Sequence, residues 1–532
     1  MASLQPDDFR IILYLCNWGP HTAFHTLQDS CAALPPSVKM IRIPCSGRIS
    51  KALLFKPFEM GADGVALVGC DEGTCRYGVG VASAQENVAD TREILELLGL
   101  GRDRLRLFLS SGENHQGLSE FLSGFAASIE TLGKSPVVKP AKKAPTENMS
   151  EKLAEIVNAH DVYACQDCGK CTSACSLTLA GKPFSPRAMA SAIIAGNVND
   201  PAVTAGVWSC LTCGLCYDRC PSAVNFPEFI RDVRQVLSSR DIPGFESHDG
   251  FFRSLSRTMT SPGLPIRHWD WLPESIRTDP QSKVAFFGGC APYFDVFFGR
   301  KLSVDTRKIL ADSLRLLNFF DIHPALLQAE RCCGHDLLWS GDRENFLALA
   351  RLNAAALAKM GVEELVVSCP EGYRTLSRDY PAQGVPLPCK VTHILDKVDA
   401  EISKGNVKFK TFGKPVTFQD PCRLSRHMGL SELPRRLMAR IPFPKFTEMA
   451  DRGAGAICCG NCAWIGCDAF SKALQRKRLS QVRDSGAQVL VTACPKCRIH
   501  LSCAMDDPFE SNAGSLPIMD IVSVLAETIS WK

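Results

Sequence analysis

The chain has 532 residues, 45% of them hydrophobic and 22% charged, with a formal net charge of +4. That balance suits several folded domains with ample core and excludes a disordered or fibrous protein. Lysine and arginine are scattered rather than gathered into a basic stripe with aromatics, which excludes a nucleic-acid partner, and no stretch reaches the apolar length of a membrane span.

Residues 1–132 read as an α/β domain. Apolar runs at Arg10–Leu15, Val38–Ile43, Gly64–Val68 and Arg104–Leu109 have the make-up of strands. Val79–Leu98 reads as a helix with Gly99 as its stop. Cys16, Cys45 and Cys70 each end an apolar run, where open α/β sheets present ligands. Gly133–Thr146 is rich in proline and lysine and reads as a flexible linker over 133–146.

Residues 147–240 carry helix-like segments at Glu151–His160, Pro186–Gly196 and Phe226–Arg240. Among them lie two cysteine runs, Cys165-x2-Cys168-x2-Cys171-x3-Cys175 and Cys210-x2-Cys213-x2-Cys216-x3-Cys220-Pro221. Such runs wrap [4Fe–4S] cubanes, the last cysteine of each crossing to the other cluster. One cubane is therefore assigned to Cys165, Cys168, Cys171 and Cys220, the other to Cys210, Cys213, Cys216 and Cys175. Zinc knots also use CxxC pairs, but here each run supplies a full set of four. Residues 241–282 read as an irregular connector that packs through Trp269 and Trp271.

Residues 283–505 contain an internal repeat. Val284–Phe287 leads to Gly289-Cys290, as Val416–Phe418 leads to Pro421-Cys422. Cys332-Cys333-Gly334 answers Cys458-Cys459-Gly460, and helix patterns follow at Glu344–Met360 and Ala469–Ser485. Strand patterns Leu365–Ser368 and Val489–Ala493 then end at Cys369 and Cys494. The repeats are placed at 283–400 and 401–532. The second offers Cys422, Cys458, Cys459, Cys494 and Cys497, one thiolate more than a cubane needs. The first has Cys290, Cys332, Cys333 and Cys369, with Gly372 where Cys497 stands. Its four thiolates suit a conventional cluster, a modified one, or none.

The 26 cysteines of so long a chain read as metal ligands. The first residues lack a basic start and an apolar core, and free thiols belong to a reducing compartment, so the cytoplasm is expected. Cys462 and Cys467 read as free core thiols or as thiols with a redox or substrate role, and Cys389 and Cys503 as structural. His335, His427 and His500 read as donors to sulfur or surface groups. Lys496, Arg423 and Arg426 are placed to offset cluster charge.

The double-cysteine pattern resembles the cysteine-rich (CCG) domain of the B-type subunit of heterodisulfide reductase. The resemblance implies that Cys422, Cys458, Cys459, Cys494 and Cys497 hold a non-cubane [4Fe–4S] cluster that acts on disulfides. Cys16-Asn17-Trp18, Pro44-Cys45-Ser46-Gly47-Arg48 and Gly69-Cys70-x4-Cys75 resemble the delta subunit of methyl-viologen-reducing hydrogenase. That resemblance implies a [2Fe–2S] cluster on Cys16, Cys45, Cys70 and Cys75, with Arg48 and Arg76 offsetting its charge. Family members often carry another cysteine at the position of Gly19; Cys31 is the alternative ligand. The middle resembles the C-type subunit of heterodisulfide reductase, and the fusion resembles the D-type. The expected fold class is α/β: an N-terminal α/β [2Fe–2S] domain, a helical two-cluster ferredoxin domain and a duplicated α/β CCG domain. The expected partners are a flavin-containing protein like the A-type subunit of heterodisulfide reductase and a hydrogenase, dehydrogenase or ferredoxin donor. The expected function is that of an oxidoreductase component acting on a thiol/disulfide, or alternatively a relay feeding another enzyme. No GxGxxG follows a strand, so a flavin belongs to a partner.

Overall fold

The computed structural model describes residues 9–30, 34–141, 148–197, 199–204, 206–239, 244–507 and 516–531. Cys31, residues 142–146 of the expected linker and Arg240 lie outside them. The chain forms two compact units, one of residues 1–141 with 248–270, the other of 142–247 with 271–532.

The first unit is built on a parallel sheet of strands β1 (Ile11–Cys16), β2 (Val38–Ile43), β3 (Gly64–Cys70) and β4 (Leu105–Ser110), in the order β2-β1-β3-β4. The near-continuous apolar character of β3 follows from burial of all seven of its residues. Helices Gly19–Asp29 and His115–Leu132 cover one face, where Phe24, Leu122, Phe125 and Ile129 meet Leu13, Leu15 and Val68. Helices Lys51–Glu59 and Gly80–Leu97 also belong to this unit.

Of the segment read as an irregular connector, residues 248–270 are partly helical and belong to this unit. Helix Phe251–Thr258 lays Phe251 against Phe55 at 5.3 Å, and Arg257 pairs with the buried Glu59 at 3.7 Å. Its apolar residues at helical spacing have a partner only through the fold, which short-range reading does not reveal. The start of the expected linker is also held: Ser135 N donates to Asp63 at 2.7 Å, and Val138 N donates to Ser261 Oγ at 2.9 Å.

In the second unit, all elements of the described residues between 149 and 238 are helices, the longest being Phe226–Ser238. Two parallel sheets follow. Strands β5 (Val284–Phe287), β6 (Ala325–Leu326), β7 (Glu364–Val367) and β8 (Lys390–His393) run in the order β6-β5-β7-β8. Strands β9 (Val416–Gln419), β10 (Val489–Thr492) and β11 (Ile518–Asp520) run β11-β10-β9. An isolated parallel bridge from Val416 to Phe446 takes the place of β6 beside β9.

The duplication extends to local detail. Helices Arg343–Met360 and Ala469–Asp484 precede β7 and β10, and helices Ile394–Lys404 and Ile521–Thr528 follow β8 and β11. Each last helix is capped by the residue ending its strand: His393 accepts from Leu395 N, Asp520 from Val522 N. The glycine of each Cys-Cys-Gly has positive φ, 82° at Gly334 and 89° at Gly460. A Cβ there would lie 2.8 Å from Phe346 Cδ2 or from Ser471 O, so no other residue fits the turn.

Candidate metal centres

In the first unit, β1 and β3 are adjacent, which brings the cysteines at their carboxyl ends together. Cys16 Sγ and Cys70 Sγ lie 3.7 Å apart. The Cβ position of Gly80 lies 3.2 Å from both Cys45 Sγ and Cys75 Sγ, so those two sulfurs flank one point. Burial and the neighbouring Cys16 push the Cys70 thiol up to about 12, while the Gly19 N–H opposes the shift. The residue at the family's extra cysteine position thus contributes a backbone donor. Arg76 stacks over Trp18 at 4.1 Å, and both Arg76 and Arg48 are exposed.

The two ferredoxin-type runs fold alike. Asp167 and Thr212 have φ of 53° and 45°, and Gly169 and Gly214 have φ of 75° and 83°. Left-handed residues at matching places turn successive N–H groups inward, a concavity suited to an anion. Cys175 faces Cys213, and Cys210 faces both Cys175 and Cys213; Cys216 adds a further sulfur to this group. Burial pushes Cys210 up to about 12 and Cys216 well above the ordinary thiol value. Cys171 senses Cys165. Cys168 is exposed, and Cys165 and Cys220 are half-buried. The Cys165 group therefore lies nearer the surface than the Cys210 group.

The second cysteine-rich repeat gathers its five thiols into one chain, with Cys422 half-buried and the other four buried. Cys422 neighbours Cys458, Cys458 neighbours Cys459, Cys459 neighbours Cys497, and Cys497 neighbours Cys494. Those contacts hold Cys459 well below the ordinary thiol value and push Cys458 and Cys497 well above it. His500 Nδ1 lies 3.3 Å from Cys459 Sγ. Cys458 also neighbours Cys213 of the second ferredoxin-type run.

The first repeat brings Cys290 Sγ within 3.1 Å of Cys332 Sγ. Hydrogen bonds from Cys290 and Cys333 hold Cys332 well below the ordinary value. Burial, Cys494 and Glu371 push Cys369 well above it. A pocket is lined by Cys290, Cys332, Cys333, Cys369, Gly372 and Lys496.

Three of the expected charge and hydrogen-bond partners meet groups other than sulfur. His335 faces Asp336 at 3.0 Å, Glu371 at 3.5 Å and Arg423 at 3.2 Å, not a sulfur. His427 lies 2.7 Å from both Arg374 and Arg423. Lys496 reaches from the second repeat to Asp336 and Glu371 of the first, at 2.5 and 2.7 Å. Asp336 adjoins His335 and Arg423 lies one helical turn from His427, but the Arg423–His335, Arg374–His427 and Lys496 pairings join residues far apart in the chain, where no local pattern marks them. Cys462 is buried against Thr212 Oγ1 at 3.0 Å and Arg423 at 3.4 Å. Cys503 faces Lys472 at 3.2 Å, Cys467 neighbours both, and Cys389 is half-buried.

Charge balance tests whether these thiols suit an anionic cluster. Arg234 is fully buried and donates to the carbonyls of Val207, Cys210 and Trp339. Arg423 is buried and donates to Thr212 and Cys462. Arg426 donates to the carbonyls of Cys213, Ala454 and Ala456. None of these bonds ends on a carboxylate. A buried cation needs a counter-charge, and cysteines stand first among the groups that supply it. Against the effect of burial, Cys462 and Cys422 hold Arg423 above its ordinary value, and Cys213 and Cys422 do so for Arg426. The donor set fits thiolate-bound iron, whose clusters carry net negative charge.

Comparison with known proteins agrees with this arrangement. Residues 11–133 match the family model of the methyl-viologen-reducing hydrogenase delta subunit. Residues 160–224 match the 4Fe-4S dicluster domain, and 284–377 and 416–502 match the cysteine-rich domain. The chain is similar to the D-type subunit of dihydromethanophenazine:CoB–CoM heterodisulfide reductase from Methanosarcina acetivorans. The two are 26% identical over 426 residues, 73% of this chain and 98% of that one. The Methanosarcina barkeri protein of the same name is 25% identical over the same shares. The B-type subunit of fumarate reductase (CoM/CoB) from Methanothermobacter marburgensis is 26% identical, over 68% of this chain and 71% of that one. The chain thus combines a delta-type domain, a 4Fe-4S dicluster domain and duplicated cysteine-rich domains.

Proposed function

We propose that this chain is a cytoplasmic iron–sulfur subunit of a heterodisulfide-reductase-like complex. It moves electrons between a flavoprotein partner and a thiol/disulfide centre in the second cysteine-rich repeat. The observation that carries this reading is the contact of Cys213 with Cys458, beside guanidiniums whose hydrogen bonds end on no carboxylate. A ligand of one redox group and a ligand of the next then belong to one buried network.

In this reading, Cys165, Cys168, Cys171 and Cys220 hold one cubane, and Cys175, Cys210, Cys213 and Cys216 hold the other. Cys422, Cys458, Cys459, Cys494 and Cys497 hold a non-cubane [4Fe–4S] cluster, and Cys16, Cys45, Cys70 and Cys75 a [2Fe–2S] cluster. When bound, these groups supply one-electron storage at potentials set by charge, hydrogen bonds and burial. The chain supplies the rest. Arg234, Arg423 and Arg426 offset negative charge, and burial of Cys458, Cys459, Cys494 and Cys497 excludes water. His500 is within hydrogen-bonding reach of Cys459. Surface-facing Cys168 marks the edge at which a partner can exchange electrons with the dicluster domain. The delta-type domain is the exchange point with a flavoprotein like the A-type subunit of heterodisulfide reductase.

A second reading, a relay without a substrate of its own, is favoured by one observation. Gly372 leaves the first repeat with four cysteines, so two matching five-thiolate centres cannot form. Anaerobic protein assayed with a viologen donor separates the two. Reduction of organic disulfides supports the first. Cluster reoxidation by a partner enzyme, without turnover of any disulfide, supports the relay.

A further inference from the structure

The loops that follow β7 and β10 correspond residue by residue. Cys369-Pro370-Glu371-Gly372 in the first repeat answers Cys494-Pro495-Lys496-Cys497 in the second. Glu371 and Lys496 hold the same place, carry opposite charge, and meet at 2.7 Å. Lys496 is 4% exposed and also meets Asp336 at 2.5 Å. Asp336 is likewise a position where the repeats differ, for its counterpart is Cys462. Cys369 and Cys494, at the heads of these loops, sense each other.

His335, Asp336 and Glu371 converge with ligand atoms within 4.8 Å of one another, in the manner of a cation site. The ammonium of Lys496 already rests on both carboxylates, so the chain itself supplies the cation. The first repeat has a glycine in place of the fifth thiolate and provides acids that anchor the second repeat's lysine.

Resting on the reading of the second repeat as a cluster site, we propose that the Glu371–Lys496 pair makes Lys496 a positioning residue. It fixes the Cys494–Cys497 loop and sets the redox potential of the centre held there. Lys496 lies between two of the ligand cysteines, in a buried region where charges are screened far less than in water. Stability alone does not account for such a pair. A buried ion pair can often be replaced by apolar groups without loss, whereas its charges act on any redox group beside it. A carboxylate in contact with Lys496 opposes the ammonium's field at that group. Removing the carboxylate therefore favours the reduced state, and removing the ammonium favours the oxidised state.

The test is an EPR-monitored redox titration of the anaerobic full-length protein and its variants, with iron content measured in parallel. Glu371→Gln keeps the side chain's size and a hydrogen-bond acceptor for Lys496. It should retain iron and raise the midpoint potential of the second-repeat centre. Lys496→Met should lower that potential, and Lys496→Arg should restore it toward the parent. If Lys496→Met fails to hold iron, Glu371→Gln decides. A parent-like potential in Glu371→Gln with iron retained overturns the proposal and leaves the proposed function intact. A parent protein with no second-repeat signal overturns both.

Discussion

The thiol of Cys213, in the second ferredoxin-type run, lies beside that of Cys458, in the second cysteine-rich repeat, which holds it down to about 5. Thr212, beside Cys213, receives Arg423, which follows Cys422. Arg426 reaches back to the carbonyl of Cys213. Two modules that are separate in sequence therefore share one buried wall of sulfur and guanidinium.

This junction predicts spectroscopic coupling. Cys213→Ser should alter the cubane signal and also shift the spectrum of the second-repeat centre. Cys168→Ser, at the exposed end of the dicluster domain, should alter only a cubane. Low-temperature EPR of both variants checks the difference. A second-repeat spectrum untouched by Cys213→Ser would separate the two centres.

Iron removal should leave Arg234 and Arg423 buried without adequate counter-charge. Breaking a buried charge pair by removing one partner costs about 3–5 kcal/mol. Chelator-stripped protein should thus unfold at clearly lower denaturant than the loaded form. Arg423→Gln should narrow that gap, because it removes a cation stranded in the stripped state. Anaerobic urea titrations of the four forms measure it, and an unchanged gap would mean that the guanidinium does not balance the cluster.

Gly372 is the point at which the first repeat departs from the second. A Cβ there would meet Val367 Cγ1 at 3.3 Å and Cys369 Cβ at 3.7 Å. A side chain thus requires Val367 to move by a few tenths of an ångström. The double variant Gly372→Cys with Val367→Ala should gain iron per chain relative to Val367→Ala alone. Equal iron in the two would show that the missing thiolate is not what limits the first repeat.

The paired helix caps predict a pH dependence remote from the cysteines. Burial raises Asp520 to about 7. Its raised value means that the neutral form is favoured in the fold, so its contribution is full below about 3.9 and is lost as pH rises through 7. Burial lowers His393 to about 3, so its contribution is full above about 6.5 and is lost as pH falls toward 3. Asp520→Asn keeps an acceptor for Val522 N and removes the charge. It should raise the melting temperature at pH 8 and change it little at pH 4. An equal shift at both pH values would contradict the assignment.

Much of this was legible in the sequence because it is local. Strands such as Ile11–Cys16 and Val416–Gln419 are short apolar runs, and the cysteine spacings repeat within a few residues. The Cys-Cys-Gly turn demanded its glycine, and the repeat of strand, cysteine and helix exposed the duplication. What was hidden is non-local. Helix Phe251–Thr258 has meaning only against Phe55, and the pairing of Lys496 with Glu371 and Asp336 joins different repeats. His335 and His427 stand near cysteines in sequence, yet they turn toward carboxylates and guanidiniums because buried charge must be balanced first.

The central claim is that these sulfurs hold iron. Protein purified without oxygen should be brown and carry about equal iron and acid-labile sulfide. Two cubanes, a non-cubane [4Fe–4S] cluster and a [2Fe–2S] cluster amount to roughly 14 irons per chain. Zinc without labile sulfide, or a colourless protein whose thiols all titrate, would contradict the account.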